Sequence, residues 1–249
     1  MSLIDEGREF LKSKDWLEWK ETETDQDKGV PVPERQKPCP EGATLVDLVK
    51  AADLSVGKLP VIDAIAGRKS YRKFTDASLT LEELSFLLWA TQGVREILES
   101  GAVRRTVPSG GNRHPFETYL VVNRVEGVEP GLYRYLQLDQ KLCRLGEFAD
   151  AAARVGEGCN GQNFVGEGAV VFIWSVIPYR TEWRYRNVSH KAIALDAGHV
   201  CQNLYIACEA IGVGTCAIAA FDQALMDSLT DVDGKDEFVI YLAPVGRIE

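Results

Sequence analysis

A cluster of basic residues occupies the stretch GRKSYRKF, residues 67–74. Arg68, Lys69, Arg72 and Lys73 lie close together in a chain whose formal net charge is −9. With the hydroxyl of Ser70, their guanidinium and ammonium groups are the donors that bind a phosphate monoester. Because many charge runs are only solvated surface, this pattern alone leaves a phosphate site and a bare surface cluster both open.

A second candidate is the glycine-containing loop VPSGGNRHP, residues 107–115. Ser109 and Asn112 are short polar donors that follow Pro108, and Gly110 lets the backbone approach a flat ligand closely. The loop leads directly into a predicted strand, so a plain connection before a sheet is the alternative interpretation.

A third candidate is the stretch IGVGTCAIAAFD, residues 211–222, which contains a G-x-G-x-x-A pattern. A dinucleotide fingerprint requires a strand before it and a helix after it. Here a predicted helix precedes the pattern and an apolar, strand-like run follows, so the sequence argues against a Rossmann fold. The remaining interpretation is a helix end followed by a buried extended segment whose backbone N–H groups can contact a ligand.

Several other chemistries are not supported. The sequence has no P-loop, no HExxH and no GxSxG pattern. Its six cysteines show no CxxC pair and no zinc-like spacing with histidine, which predicts scattered buried thiols in a reducing compartment and no metal site. Asp196 and His199 are one helical turn apart, a spacing that suits either an acid/base pair or a structural hydrogen bond.

Charge and hydropathy limit which partners the protein can bind and where in the cell it is expected. The pI near 5.0 argues against a general affinity for nucleic acid or for an anionic membrane. No apolar run is long enough to span a bilayer, and the N-terminus lacks the apolar core of a signal peptide. We therefore expect a cytoplasmic protein.

Residues 1–59 are predicted to form an N-terminal extended arm with a short helix, and residues 60–249 the main domain. The arm is polar and contains several prolines after Trp16 and Trp19. Tryptophan side chains favour burial, so we expect the arm to be docked on the domain, with a flexible tail as the alternative.

Periodicity and capping signals predict the elements of the main domain. Thr80 and Glu83 form a capping box at the start of a helix that Gly93 ends. The apolar run 169–177 predicts a strand buried on both faces. The other predicted elements are a short helix at 60–66, a loop over 94–114, a strand at 116–123, a hairpin around Asp139 and Gln140, a long helix at 190–212 and a strand at 237–246. This order predicts an α+β layered fold with a mixed central sheet flanked by helices.

The candidate motifs together resemble the nitroreductase superfamily of FMN flavoproteins. The family's R-x-S-x-R-x-F element is present as Arg68, Ser70, Arg72 and Phe74. Its P-S-x-x-N loop, its helix ending in a G-[LV]-G-T pattern and its final P-x-G strand follow in the same order. The match covers residues 60–249 and implies a three-layer fold in an intertwined homodimer.

Within that superfamily, the sequence is most similar to the azoline-oxidase-like branch, also called SagB-type dehydrogenases. The stretches PSGGNRHPFETYLVV, EPGLYRY and LDAGHVCQNLYIACEAIGVGTC carry this resemblance. Members of the branch that oxidise peptide azolines carry a Lys-Tyr pair before the long helix, where this chain has Arg184 and Tyr185. Arginine does not give up its proton readily, so Arg184 is a poor general base.

The resemblance also implies roles for individual residues. Arg68, Ser70 and Arg72 would bind the FMN phosphate, with Arg247 as a further cation. Tyr185 is the candidate proton donor, and Arg184 could bind an anionic substrate. The isoalloxazine ring would be lined by the partner subunit's loop residues (Pro108, Ser109, Gly110 and Asn112) and by the backbone near flavin N5 (Ala217, Ile218, Ala219 and Ala220).

Three functions follow as hypotheses. The first is an FMN-dependent oxidoreductase that passes hydride between NAD(P)H and a small electron-poor acceptor. The second is a SagB-type dehydrogenase that oxidises a thiazoline-like ring or peptide. The third is a non-catalytic flavin-binding protein, which NAD(P)H would not reduce.

Overall fold

A seven-stranded sheet forms the middle of the part of the chain that the computed structural model describes, residues 2–13, 15–147 and 150–249. Its spatial order is β1-β6-β5-β4-β7-β9-β8. The strands are β1 (Leu45–Asp47), β4 (Phe116–Val122), β5 (Gly131–Leu136), β6 (Lys141–Gly146), β7 (Val170–Val176), β8 (Val213–Thr215) and β9 (Phe238–Arg247), and a separate hairpin consists of β2 (Val94–Ile97) and β3 (Val103–Arg105).

Neighbouring strands of this sheet pair antiparallel, for example Leu120 opposite Phe172 between β4 and β7. A parallel bridge joins Leu79 to Val125 beside the sheet. The predicted α+β class, with a central sheet between helices, is confirmed.

Helices cover both faces of the sheet and define two cores. On one face α4 (Leu81–Gln92) and α7 (Ser189–Ala210) pack on the strands, and on the other face α5 (Ala151–Gly158) and α8 (Gln223–Thr230) do so. In β7, Phe172 and Trp174 point into the first core and Val171 and Ile173 into the second. This strand is therefore apolar throughout because both of its faces are buried, as predicted. The remaining helices are α1 (Leu3–Leu11), α2 (Trp16–Trp19), α3 (Val61–Gly67) and α6 (Tyr179–Tyr185).

The local signals of α4 are confirmed. The Thr80 hydroxyl accepts a hydrogen bond from the Glu83 N–H, and the Glu83 carboxylate accepts one from the Thr80 N–H. Such reciprocal capping satisfies two backbone donors that the helix itself leaves free. Gly93 is the C-cap.

The predicted loop over 94–114 is wrong in its first part, where β2 and β3 form a hairpin. Val94 pairs with Arg105, and Leu98 and Ala102 close the turn, in which Gly101 has a φ of +74°. The strands are short, β2 is mostly exposed, and more than half of their residues are charged, so the apolar alternation that reveals a strand is weak here.

The N-terminal arm is held along the domain by contacts over most of its length. The Trp19 indole donates to the Arg184 carbonyl, and the Trp183 indole donates to the Val30 carbonyl. Farther along, β1 pairs with β6 as an edge strand of the sheet.

A disulfide between Cys39 and Cys143 ties the arm to β6 and corrects the expectation of six free thiols. The two cysteines are 104 residues apart in sequence, so no local spacing reveals the bond. The other four cysteines (Cys159, Cys201, Cys208 and Cys216) are free and buried, as predicted.

Candidate functional site

The basic loop after α3 runs alongside β8 and the end of β9. The Tyr71 N–H donates to the Thr215 carbonyl at 2.9 Å, and the Thr75 N–H donates to the Arg247 carbonyl at 2.9 Å. At Gly214 a side chain would collide with Tyr71, since a Cβ there would lie 2.7 Å from the Tyr71 Cβ. The fold thereby brings the first and third sequence motifs together.

Tyr205 of α7 joins these two motifs, although no sequence motif includes it. Its hydroxyl lies 2.9 Å from the Ser70 hydroxyl and accepts a 2.8 Å hydrogen bond from the Ala217 N–H. The Arg68 guanidinium stacks over its ring at 5.3 Å. The sequence signal is faint, because a tyrosine beside an apolar helical stripe usually indicates only the edge of a core.

The cations of the loop lie apart from the carboxylates of the described residues. Among the described residues, no carboxylate lies within 4 Å of Arg68, Lys69, Arg72 or Lys73. Ser70 and Arg72 are exposed, and Arg68 is half-buried. Four unpaired cations in a short loop of an acidic protein make a strong local site for an anion.

Glu209 lies near the start of the same loop. One of its oxygens, Oε1, is buried without a hydrogen-bond donor, and the other lies 3.1 Å from the position of a Cβ at Gly67. A buried acceptor without a donor is costly, so this oxygen suits a ligand hydroxyl group.

Arg247 has a different environment from the loop cations. Its guanidinium donates to the Glu83 carboxylate at 2.7 Å and to the Ser78 carbonyl at 3.3 Å. Glu83 already compensates its charge, so the predicted role in phosphate binding would require this ion pair to open.

The backbone after β8 offers donors of the predicted kind. Ile218 exchanges two hydrogen bonds with Leu242 of β9, which fixes the segment on the sheet. Beyond it, Ala219 and Ala220 are exposed, and within the described residues their N–H groups bond to no backbone carbonyl. Small side chains leave these N–H groups accessible to a flat ligand.

Asp196 of α7 anchors the glycine-containing loop. Its carboxylate accepts hydrogen bonds from the Ser109 hydroxyl at 2.6 Å and from the Gly110 N–H at 3.0 Å. Burial raises the pKa of this carboxyl, and the hydrogen bonds from Ser109 and Gly110 oppose that shift. His199 is half exposed with its Nδ1 3.8 Å from Asp196, so the structural role of Asp196 is the one the contacts support.

The same loop has an unusual backbone. Gly111, Asn112 and His114 all have positive φ values, of 58°, 58° and 49°. The His114 ring bonds to the Asn112 side chain at 2.8 Å, and burial lowers the pKa of His114 to about 3. The neutral histidine and its left-handed neighbours hold the loop in one shape.

Tyr185 lies against this loop. A Cβ at Gly111 would be 2.4 Å from the Tyr185 hydroxyl, so only glycine allows the ring to approach. Trp16 and Trp19 of the arm also pack on this ring, with centroids 5.7 and 5.6 Å away. The structure therefore joins Tyr185 to the loop and to the arm, while Arg184 lines a hollow of about 310 Å³ between α6 and the arm.

The two halves of the predicted site lie on opposite sides of α7. Asp196 holds the glycine-containing loop and Tyr205 holds the basic loop, and these residues are nine positions apart in the helix. Nine residues correspond to about 14 Å along the axis and roughly half a turn around it. One chain therefore does not direct both loops at the same ligand.

An apolar groove lies beside α7. It has a volume of about 570 Å³ and is lined by residues of α3, α4 and α7, including Ile65, Trp89 and Ile206. On its α3 side Val61 and Ile65 are exposed by 66% and 61%. Exposed apolar surface of this extent is typical of a protein-protein interface.

No helix in the described part of the chain is long and apolar enough to cross a membrane. Comparison with known proteins identifies a protein family and several relatives. The model of the nitroreductase family matches residues 65–247. The chain is 30% identical over 192 residues to a protein of Methanocaldococcus jannaschii named "Putative nitroreductase", covering 77% of this chain and 93% of that protein.

Two further likenesses are to a trifolitoxin-processing protein and to a chain of a microcin synthetase complex. The chain is 26% identical over 136 residues to the trifolitoxin-processing protein TfxB of Rhizobium leguminosarum bv. trifolii, over 53% of this chain and 36% of that protein. Its fold resembles a chain of the E. coli microcin synthetase complex, with a TM-score of 0.61, 18% identity and coverage of 100% and 98%. The family match extends over most of the sequence, and it supports an oxidoreductase. The chain belongs to the nitroreductase family.

Proposed function

We propose that the protein is an FMN-dependent oxidoreductase that passes hydride between NAD(P)H and a small electron-poor acceptor. The observation that carries this proposal is the unpaired basic loop joined through Tyr205 to the free N–H groups after β8. A phosphate donor set and a flat-ring donor set thus lie on one side of α7. FMN has a phosphate at one end and a flat ring at the other, so it fits this pair.

Different residues would contact different parts of the cofactor. Arg68, Ser70 and Arg72 would bind the phosphate, and the oxygen of Glu209 that lacks a donor would accept from a hydroxyl of the ribityl chain. The N–H groups of Ala219 and Ala220 would donate to the ring edge. The bound FMN supplies the hydride-accepting chemistry at its N5 atom, and the protein binds, orients and shields it.

We further propose that the functional unit is an intertwined homodimer in which each ring is lined by Pro108, Ser109, Gly110 and Asn112 of the partner. The placement of the two loops on opposite sides of α7 supports this. The basic loop of one chain and the glycine-containing loop of the second copy would together complete one flavin site. The middle of α7 has a small-residue exposed face at Ala194 and Gly198, beside Leu195, which is 57% exposed. Small residues allow two helices to approach closely.

Tyr185 and Arg184 would face the substrate in this arrangement. Tyr185 lies against Gly111, which supports the proposal that its hydroxyl would donate a proton at the ring face. Arg184 keeps its charge and would bind an anionic group of the substrate.

A SagB-type dehydrogenase that oxidises a thiazoline-like ring or peptide is the second candidate. The likenesses to the trifolitoxin-processing protein and to the microcin synthetase chain favour it, and the latter includes the arm. Arg184, in place of lysine, weighs against it, because the proton that lysine could take up would need another acceptor. A non-catalytic flavin protein is the third candidate.

The first experiment is a visible absorption spectrum of the purified protein, followed by anaerobic addition of NADPH and, separately, NADH. A yellow protein that is bleached supports the reductase. A yellow protein that is not bleached supports one of the other two candidates, and bleaching by a thiazoline-containing peptide selects the dehydrogenase. A colourless protein that takes up no added FMN would refute flavin binding.

We expect the protein in the cytoplasm. The Cys39–Cys143 disulfide argues against this expectation, since such bonds persist mainly in oxidising compartments.

A further inference from the structure

A cavity of about 450 Å³ lies on the face of the sheet that packs against α8, opposite to α7. One side is formed by the arm residues Lys37, Pro38, Cys39 and Pro40. Its aliphatic lining is Leu132, Leu145 and Leu229. Cys39 is half-buried and lines this cavity, whereas its disulfide partner Cys143 is fully buried. The cavity therefore gives a small molecule access to the disulfide at Cys39.

Arg134 lines the same cavity and is a buried cation. Its side chain is on β5, and the residue is only 4% exposed. In the described part of the chain no carboxylate lies within 4 Å of its guanidinium. Burial of an unpaired charge is costly, which an anionic ligand would relieve.

The hydrogen bonds of Arg134 place its charge beside the disulfide. Its Nη2 donates to the carbonyls of Lys37 and Pro38, the two residues before Cys39. Its Nε is buried without an acceptor. The other cation of the cavity, Lys37, is already paired with Glu237. Arg134 is thus the cation that would recognise an anion next to Cys39.

We propose that this cavity binds small anionic thiols, which reduce the Cys39–Cys143 bond by attack at Cys39. The thiol would place its carboxylate toward Arg134 and its carbon chain on the leucine side chains. Electrostatic attraction concentrates the anionic thiol at the site and stabilises it while the sulfur reacts.

The reaction proceeds by ordinary thiol–disulfide exchange. The thiolate attacks Cys39 Sγ, the Cys39–Cys143 bond breaks, and Cys143 leaves as a thiolate that takes a proton from solvent. A second thiolate attacks the small-molecule sulfur of the mixed disulfide and releases Cys39. Two thiols are oxidised to one disulfide, and the protein disulfide is reduced to two thiols.

Reduction would remove the covalent bond between the arm and β6, leaving the hydrogen bonds of the arm as its attachment. This inference does not depend on the proposed flavin chemistry, because the cavity is lined by none of the residues that are predicted to bind flavin.

The experiment compares three thiols on the full-length protein: mercaptoacetate, 2-mercaptoethanol and cysteamine, which carry a negative, no and a positive charge. Loss of the disulfide is followed by alkylation and mass spectrometry of the peptides with Cys39 and Cys143. Rates are compared per unit of thiolate concentration and are divided by the rate of the same thiol with the uncharged bis(2-hydroxyethyl) disulfide, because the nucleophilicity of a thiolate rises with the pKa of its thiol. We expect mercaptoacetate to react roughly threefold to tenfold faster than 2-mercaptoethanol, and cysteamine to be slowest, which corresponds to screened attraction between unit charges at close range.

Two charge variants test the role of Arg134. Arg134→Gln should abolish the preference for mercaptoacetate, whereas Arg134→Lys should retain most of it. Asp231 also lines the cavity and is exposed, so Asp231→Asn should increase the preference. Circular dichroism shows whether each variant is folded, and Asp231→Asn provides the test if Arg134→Gln is not. Equal rates for all three thiols in the wild type, or a preference that neither Arg134→Gln nor Asp231→Asn alters, would overturn the proposal.

Discussion

The Tyr205 hydroxyl accepts a 2.8 Å hydrogen bond from the Ala217 N–H and lies 2.9 Å from the Ser70 hydroxyl. One side chain of α7 thus fixes both the loop that would bind the phosphate and the segment that would contact the flavin ring. Among the described residues, no other side chain of α7 forms a hydrogen bond with either motif. The distance between the two donor sets is therefore set by a residue that belongs to neither motif.

Tyr205→Phe should weaken FMN binding without unfolding the protein. The ring and its stacking with Arg68 remain, and two hydrogen bonds of about 1 kcal/mol each are lost. We expect the dissociation constant of FMN to rise roughly fivefold to thirtyfold, as measured by flavin fluorescence titration. Tyr133→Phe is the matched control, because the Tyr133 hydroxyl donates to the Glu129 carbonyl, in the loop before β5. Equal affinities in wild type and Tyr205→Phe would show that this connection does not position the cofactor.

The double variant Arg68→Ala/Arg72→Ala should lose FMN while remaining folded. These side chains have no carboxylate partner among the described residues, so their loss leaves no buried charge unpaired. Charge-assisted hydrogen bonds to a phosphate are each worth about 1.5–3 kcal/mol, which predicts at least roughly hundredfold weaker binding.

The control for this variant is Arg104→Ala/Lys141→Ala, which removes the same charge from two surface ion pairs. Both proteins are purified without added flavin, and the ratio of flavin to protein absorbance is measured. Full flavin occupancy in Arg68→Ala/Arg72→Ala would show that the basic loop is an ordinary surface cluster and not a phosphate site.

Gly111→Ala should destabilise the protein more than Gly101→Ala. Both glycines have positive φ values, +58° and +74°, so alanine at either position has a backbone cost of about 1 kcal/mol. Only at Gly111 would the new Cβ meet another side chain, the Tyr185 hydroxyl at 2.4 Å, whereas nothing lies within 4 Å at Gly101. We expect an additional loss of about 1–3 kcal/mol in the free energy of unfolding, as measured by urea denaturation. Equal losses would mean that Tyr185 moves away freely and is not held against the loop.

His114 should make the protein less stable as the pH falls. Burial lowers its pKa from 6.5 to about 3, so between these values the unfolded chain binds a proton that the folded protein does not. The stabilisation is present above pH 6.5 and decreases below it, by at most about 1.4 kcal/mol per pH unit.

His114→Asn tests this assignment, because asparagine does not titrate and tolerates the positive φ of this position. The difference in unfolding free energy between wild type and variant, measured by urea denaturation from pH 7.5 to 4.5, should shift in favour of the variant as the pH falls. A difference that is independent of pH would exclude His114 as the titrating group.

Much of the local structure could be predicted from the sequence. The capping box of Thr80 and Glu83 depends only on neighbours within a few residues. The strand β7 is apolar throughout because both of its faces are buried. Each of these features leaves a clear pattern in the sequence. The basic loop and the glycine-containing loop were identified for the same reason: donors that bind a common group stand close together in sequence. Their assignment to an FMN site is a prediction that the flavin experiments test.

Tertiary structure alone decided how these pieces are connected. Asp196 meets Ser109 across 87 residues, Tyr205 meets Ser70 across 135, and Cys39 joins Cys143 across 104. Contacts of this kind arise when the sheet and α7 bring distant segments together, and they leave no periodicity in the sequence because each involves one residue from each segment. The sequence therefore determined which groups could bind a ligand, whereas packing around α7 decided which of them lie together and which face away.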